Sequence, residues 1–306
     1  MRRFVNTVIA ALAACTWEVA TTSGANDDLS QLEVQDPRMG GIHWARGQAP
    51  ARSHGGSPDL IYHGGPVMTQ GAYVEPIFWG AKWADPSFVA DKINGLETFY
   101  SGLGFSDYEA TDTEYTDTSG LYVGAVVTLG SAHVDLSAAP RRGNRTGPIL
   151  SEVCSTAANL VPDGYYPVYV DTPRGHAGFC AWHSVGTCPN GVTVQFAFFF
   201  NLDADPGCDP QDPSGLHTEG LAALANVSGH ELSEALTDPH LDAWYDSSGQ
   251  ENSDKCAWAF GTPLLTFSNS SQWKVQGNWS NAAFDGGTGY PNRSGQMGCI
   301  DGGNFP

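Results

Sequence analysis

The chain has 306 residues, 41% hydrophobic and 11% aromatic, enough for a buried core in one large domain or two small ones. Its 14 Lys and Arg stand against 33 Asp and Glu, and the net charge of −19 at pH 7 repels nucleic acid and anionic lipid surfaces while suiting cations. The 37 Gly and 19 Pro exclude a simple helical bundle and indicate long turns and loops.

Residues 1–25 read as an export signal: Met1-Arg2-Arg3 is the charged region, and Phe4 to Ala14 is an apolar run too short to cross a bilayer. No other run approaches that length, so no transmembrane span is expected. Leu12-Ala13-Ala14-Cys15 also has the form of a lipobox at 12–15, which would leave a lipid anchor on Cys15; cleavage near Ser23-Gly24-Ala25 is the alternative. The protein is therefore expected outside the cytoplasm, extracellular or at the cell surface. Residues 26–58 are polar, rich in Gly and Ala and without period, and read as a disordered leader before a single domain at 59–306.

Tyr73 to Gly80 reads as a strand that Pro76 demotes partly to an edge, and Pro86 to Gly102 as an amphipathic helix ending at Gly. Leu121 to Leu129 and Val134 to Leu136 are further strands, Ile149 to Leu160 a helix, and Tyr166 to Asp171 and Val192 to Phe200 apolar, aromatic strands. A long helix at Leu216 to Leu236 follows, then short strand-like pieces at Leu264 to Phe267 and Trp273 to Val275. A mixed sheet succeeded by a long helix predicts an α/β (α+β) fold of zincin-like architecture, stabilised by disulfides. With Cys15 in the signal, Cys154, Cys180, Cys188, Cys208, Cys256 and Cys299 remain, an even six in an oxidising compartment; Cys180–Cys188 and Cys256–Cys299 are the pairings favoured.

The chemistry-bearing stretch is Gly229-His230-Glu231-Leu232-Ser233-Glu234-Ala235-Leu236-Thr237-Asp238-Pro239-His240. His230 and Glu234, four apart, share a helix face, and His240 follows beyond a helix-ending Pro. This is H-E-x-x-E-x-x-T-x-x-H against the metzincin H-E-x-x-H-x-x-G-x-x-H. Imidazole and carboxylate both bind zinc, so His230 and Glu234 are the expected metal ligands. Glu231 is the expected catalytic residue, a general base that takes the proton of an attacking water. Thr237 resists the positive φ that Gly allows, so His240 need not return to the metal; Glu251 and Asp254, in an acidic, turn-rich segment, are the other candidates for third ligand. The apolar stripe of Leu221, Leu224, Ala225, Ser228, Leu232 and Ala235 turns His230 and Glu234 the other way, and the bland alternative is a solvated helix face.

Two lesser signals stand beside it. Asn201 to Asp212 alternates oxygen ligands as a calcium loop does, but Pro206 occupies the place of the required Gly, and a solvated loop is expected. His176 and His183 flank Cys180; either could polarise a substrate carbonyl, although a surface or packed His is the commoner case. N-x-S/T sequons occur at Asn144, Asn226, Asn269, Asn278 and Asn292.

Tyr62-His63-Gly64-Gly65-Pro66-Val67-Met68, Gly178-Phe179-Cys180 and Thr237-Asp238-Pro239 together resemble the exordium, or phosphate-induced protein 1, family over about residues 60 to 300. The resemblance implies a secreted protein, with plant members tied to cell-wall and growth responses and no assigned reaction. The plant pattern lacks the residues at His230, Glu231, Glu234 and Asp238, whereas bacterial relatives look closer and carry a Glu-x-x-Asp-Lys-Cys like Glu251 to Cys256. That favours Asp254 or Glu251 over His240. The expected activity is zinc-dependent hydrolysis of a peptide or protein substrate. The alternative is a non-catalytic, cell-wall-associated protein holding a structural ion, calcium, for which six to eight oxygen ligands would be the signature.

Overall fold

A computed structural model describes residues 36–50, 58–157 and 159–302. In chain order it forms β1 (Gly40–Trp44), β2 (Ile61–Tyr62), β3 (Ala72–Val74), β4 (Ile77–Trp79), α1 (Pro86–Val89), α2 (Lys92–Leu103), β5 (Val127–Leu129) and β6 (His133–Asp135). Then come α3 (Thr146–Thr156), β7 (Tyr165–Pro173), β8 (Phe179–Thr187), β9 (Thr193–Asn201), α4 (Glu219–Thr237), β10 (Trp244–Tyr245) and α5 (Asn252–Lys255). β11 (Leu265–Thr266), β12 (Gln272–Trp273), β13 (Asn278–Trp279), α6 (Asn281–Asp285) and β14 (Cys299–Ile300) complete it. The fold is α+β around one mixed sheet of eight strands. The expected export signal and lipobox lie outside the described residues, among which no helix is long and apolar enough to cross a membrane.

The sheet runs β1-β8-β9-β7-β3-β5, with β4 and β6 continuing the β3 and β5 positions. Its centre is parallel and its β8-β1 side antiparallel. β7 and β9 are buried on both faces, and so their sequences, Tyr165 to Val170 and Val194 to Phe200, are almost continuously apolar. Alternation along the strands decides what each face meets. Tyr169 reaches Ser228 on α4 with its hydroxyl (2.7 Å), whereas Trp182 donates its indole N–H to the Gly143 carbonyl on the opposite face (2.6 Å). An α2–α4 layer and an α3 layer thus enclose the sheet.

Several expectations change in detail. Glu75 and Pro76 divide the first strand into β3 and β4, both paired with β7, because Pro cannot donate to the ladder. The Pro86 helix ends after one turn at Ala90 (φ 45°) and restarts as α2, whose buried Lys92 pairs with Asp203 at 2.6 Å. Arg174 holds Asp205 at 2.7 and 2.8 Å, so two acids of the calcium-like loop, Asp203 and Asp205, serve ion pairs, while Asp209 and Asp212 accept from Gln211 and Ser214. The segment expected as leader contains β1, which pairs with β8.

Three disulfides join described residues: Cys154–Cys188, Cys180–Cys208 and Cys256–Cys299, with Cα separations of 5.5, 5.8 and 5.8 Å. The third was expected, but Cys180–Cys188 is excluded. β8 runs between those two residues, and eight extended residues span roughly 26 Å.

Candidate metal centre

α4 begins at Thr218, whose hydroxyl accepts from the Leu221 N–H, and ends before Pro239 at Asp238, whose Oδ1 accepts from the N–H groups of Asp242 and Ala243 at 2.6 Å each. Every residue from Gly220 to Thr237 is buried. The side of the helix bearing His230 and Glu234 is therefore not a solvated face: β1, β8, α5 and Gln276 cover it.

His230 Nε2 lies 3.1 Å from Glu234 Oε1 and 3.8 Å from Asp254 Oδ1. Glu234 Oε1 accepts the Asp254 N–H at 2.8 Å, which ties the start of α5 to α4. From β8, His183 Nε2 reaches Glu251 Oε2 at 3.0 Å and Glu234 Oε2 at 3.7 Å. Ligand atoms of His183, Glu231 and Glu234 can gather around one point, and so can those of His230, Glu234 and Asp254, with Glu234 common to both groups. Both candidate acids, Glu251 and Asp254, thus arrive at the cluster. His240 does not. The left-handed turn that the motif would place at Thr237 comes at Leu241 (φ 59°), and His240 pairs with Asp163 at 3.3 Å in the wall of a separate cavity of about 430 Å³.

The electrostatics are those of a cluster short of positive charge. Burial, reinforced by the charges of Asp254 and Glu251, holds the Glu231 and Glu234 carboxyls well above the usual carboxylate range. Burial pushes Asp238 and Glu251 up to about 8. It also lowers His43 and His183 to about 4 and holds His230 well below its ordinary value, His43 and His183 adding to that shift. Left to itself the cluster is therefore one of neutral acids and neutral imidazoles, and the short His183–Glu251 contact is a hydrogen bond from an uncharged ring.

The residues fit a cation nonetheless. Both oxygens of Glu231, approached by the His43 main chain, and Oε2 of Glu234 are buried without a hydrogen bond of ordinary geometry, and Nε2 of His230 faces Glu234 Oε1 beside them. Such orphaned lone pairs, converging from one helix, are what a divalent ion would satisfy.

Two participants were not foreseen from sequence. His43, on β1, lies edge-on to His230 at 4.2 Å between ring centroids. Gln276 bridges them, its Oε1 3.0 Å from His43 Nε2 and its Nε2 3.0 Å from His230 Nδ1. The Gln276 amide is oriented by main-chain groups: Oε1 accepts from Trp258 N–H (3.1 Å) and Nε2 donates to the Ser253 carbonyl (2.9 Å). In that orientation His230 carries its proton on Nε2. Gln276 thus selects the tautomer, and a metal at Nε2 would need that proton to leave, because the amide cannot turn over without losing its bonds to the Trp258 N–H and the Ser253 carbonyl. His183 was noted beside Cys180, but its burial on β8 was not; its neighbour in that reading, His176, is exposed. Among the sequons, Asn226 and Asn278 are fully buried, and Asn226 accepts the Gln276 N–H.

Fold and site together define an α+β protein, cross-linked by disulfides, with a buried histidine–carboxylate cluster on its longest helix. The chain is 24% identical to Protein EXORDIUM-like 5 of Arabidopsis thaliana over 246 residues, covering 68% of this chain and 67% of that one. The likeness supports the exordium-like resemblance read from the sequence, and with the disulfides it is consistent with a secreted protein. No family model matches, and no solved structure matches.

Proposed function

We propose that the protein is an exported, zinc-dependent peptide hydrolase held in a closed form, with the ion bound at Glu234. The observation that carries this reading is the set of orphaned, fully buried carboxyl oxygens on Glu231 and Glu234, with the His230 ring beside them. A mixed nitrogen and oxygen set with two imidazoles within reach suits zinc better than calcium, which takes oxygen ligands.

Zinc there would supply Lewis-acid polarisation of a carbonyl and a more acidic water. In this reading His230 and Glu234 hold the ion from consecutive turns of α4, and Asp254 or His183 completes the set. Gln276 fixes the His230 ring. Glu231, one residue along the helix from His230, takes the proton from water. Asp238 braces the chain leaving the helix.

A second reading has its own support. Glu231 belongs to one of the two ligand groups, and the cluster lies wholly inside the protein, as a structural ion would. Elemental analysis of the purified protein, followed by a chelator-sensitive assay on an unfolded protein substrate, separates them. Zinc near one per chain with chelator-sensitive cleavage is expected; bound calcium, or zinc with no cleavage once the site is opened, selects the structural ion.

A further inference from the structure

On its β1 side the cluster is covered by a strap of chain, residues 36–46. β1, within it, is the edge strand, pairing antiparallel with β8: Gly40 opposite His183, Ile42 opposite Trp182, His43 opposite Ala181 and Trp44 opposite Phe179. Gly41 (φ 34°) is seated directly on the site. A Cβ there would stand 2.1 Å from both Glu234 Oε2 and His183 Cδ2, so only Gly permits this approach. His43 closes the next step, packed on His230 and Trp258 at 4.2 and 4.5 Å.

The strap is fastened at its ends. Asp36 accepts from Gly147 N–H and from the Thr146 hydroxyl (3.0 Å) at the start of α3. Arg46 donates to the Asp209 carbonyl at 2.9 and 3.2 Å and lies over the Trp258 ring at 4.3 Å. Apart from His43, which is buried and bonded to Gln276, its middle is the weaker part. The strand is Gly-Gly-Ile-His-Trp, two glycines lose more backbone freedom than other residues would, and the ladder with β8 is irregular at two places. β8 and β9 by contrast pair without a break from Ala181 to Thr187. A strand poorly suited to its place, secured by anchors outside the cluster, is one that another extended chain can replace.

We propose that residues 36–46 are an inhibitory strap, and that the substrate of this site is an extended peptide that pairs with the outer edge of β8 in the place of β1. This rests on the zinc hydrolase reading and adds its regulation and substrate geometry. A main-chain partner on β8 would bring its carbonyls over His183 and Glu234, where the Gly41 backbone now lies.

The test uses the full chain with Asp36→Ala and Arg46→Ala combined, and Gly41→Val as an independent way to lift the strap. Zinc content, hydrogen exchange at Phe179 to His183 and cleavage of casein are measured in each. Expected are retained zinc, faster exchange on β8 and casein turnover raised by about tenfold or more, since two charge-assisted anchors are removed. A synthetic peptide of residues 36–46 added in trans should then lower that turnover again. Retained zinc with faster exchange but unchanged or lower turnover in both variants overturns the strap, leaving β1 a guard against edge pairing. Unchanged exchange in both overturns it too. Absence of zinc from the wild type, even after dialysis against zinc, overturns the metal reading instead, and the exchange result stands apart from it.

Discussion

Two groups of acids are buried among the described residues, and only one of them brings together side chains that could hold a metal ion. Around Glu234, carboxyls meet imidazoles from β1, β8 and α4. About a turn of α4 away, Glu109 and Asp112 lie on a 3-10 turn, fully buried and interacting, with their affinity for protons raised well above normal by burial. That pair has amides and hydroxyls for company. Asn252 donates to Asp112 Oδ1 at 2.7 Å, and Asn278 donates to Asp112, Thr111 and Ser233 at 3.3, 2.9 and 2.9 Å while accepting from Ser253 at 2.7 Å. Among the described residues, groups of three potential ligands form at Glu234 and not at Glu109. A buried carboxylate pair can become neutral by keeping protons; adding nitrogen donors whose lone pairs lack partners offers a cation instead.

Removing the metal should break the comparison most visibly. At zinc a thousandfold above its dissociation constant, binding adds about 4 kcal/mol to stability, and a chelator should remove it. His230→Ala should lose the zinc and the chelator response together, whereas Glu109→Gln should keep both; thermal melts with and without chelator decide it. Equal chelator responses in the two variants would mean that the ion sits elsewhere. Next in size is Glu231→Gln, which keeps shape but removes a proton acceptor. It should cut turnover by about a hundredfold with zinc retained. Zinc loss as complete as in His230→Ala would make Glu231 a ligand, the assignment that its place beside His183 and Glu234 permits. Gln276→Leu removes the bond that holds the His230 proton on Nε2, the atom facing Glu234, and should tighten zinc by about five- to tenfold, the worth of one hydrogen bond. Competition with a fluorescent zinc chelator reads the change directly, and an unchanged affinity would show that Gln276 does not select the tautomer.

What could be read in the sequence follows from range. His230, Glu231 and Glu234 announce themselves because helical spacing alone puts them together, and Glu251 and Asp254 follow within one acidic turn. The local signal for His240 misled for a physical reason: Asp238 pins the next amides and the left-handed turn moves to Leu241, so the same spacing leads the chain to another surface. His43 and Gln276 carry no such signal. They arrive on elements 187 and 46 residues from His230, and no periodicity encodes that meeting. His43 was further hidden by composition, since Gly40 and Gly41 make its strand resemble a linker when Gly41 is there to let backbone approach Glu234 and Gly40 to pack against Leu241. The apolar strands were legible because burial on both faces leaves little room for polar residues. β8 was not, because Cys180, His183 and Ser184 on it serve a disulfide, the cluster and the Arg38 carbonyl.

The smallest expected effect concerns the sign of the pH dependence in the two acid groups. Burial raises Glu109 and Asp112 in the folded state, so the native protein holds protons that the unfolded chain releases above about pH 4. Stability from that pair is fully present below the unfolded values and is lost as pH rises through the folded ones, with a slope of at most about 1.4 kcal/mol per pH unit for each group. In metal-free protein the acids of the Glu234 cluster have the same sign, since Asp238 and Glu251 sit at about 8, while its three imidazoles, lowered by burial, oppose it at acid pH. With zinc the sign reverses, because binding needs deprotonated carboxylates and so strengthens as pH rises. Asp112→Asn should cost about 1 kcal/mol or less at pH 4, where the acid it replaces is neutral, and should flatten the decline between pH 4 and 8 equally with and without zinc. Denaturant melts across that range measure both. If the variant's effect on the slope depended on zinc, the two groups would be one coupled network through Asn252, Asn278 and Ser233, and the division between a proton-holding pair and a cation-holding cluster would fail.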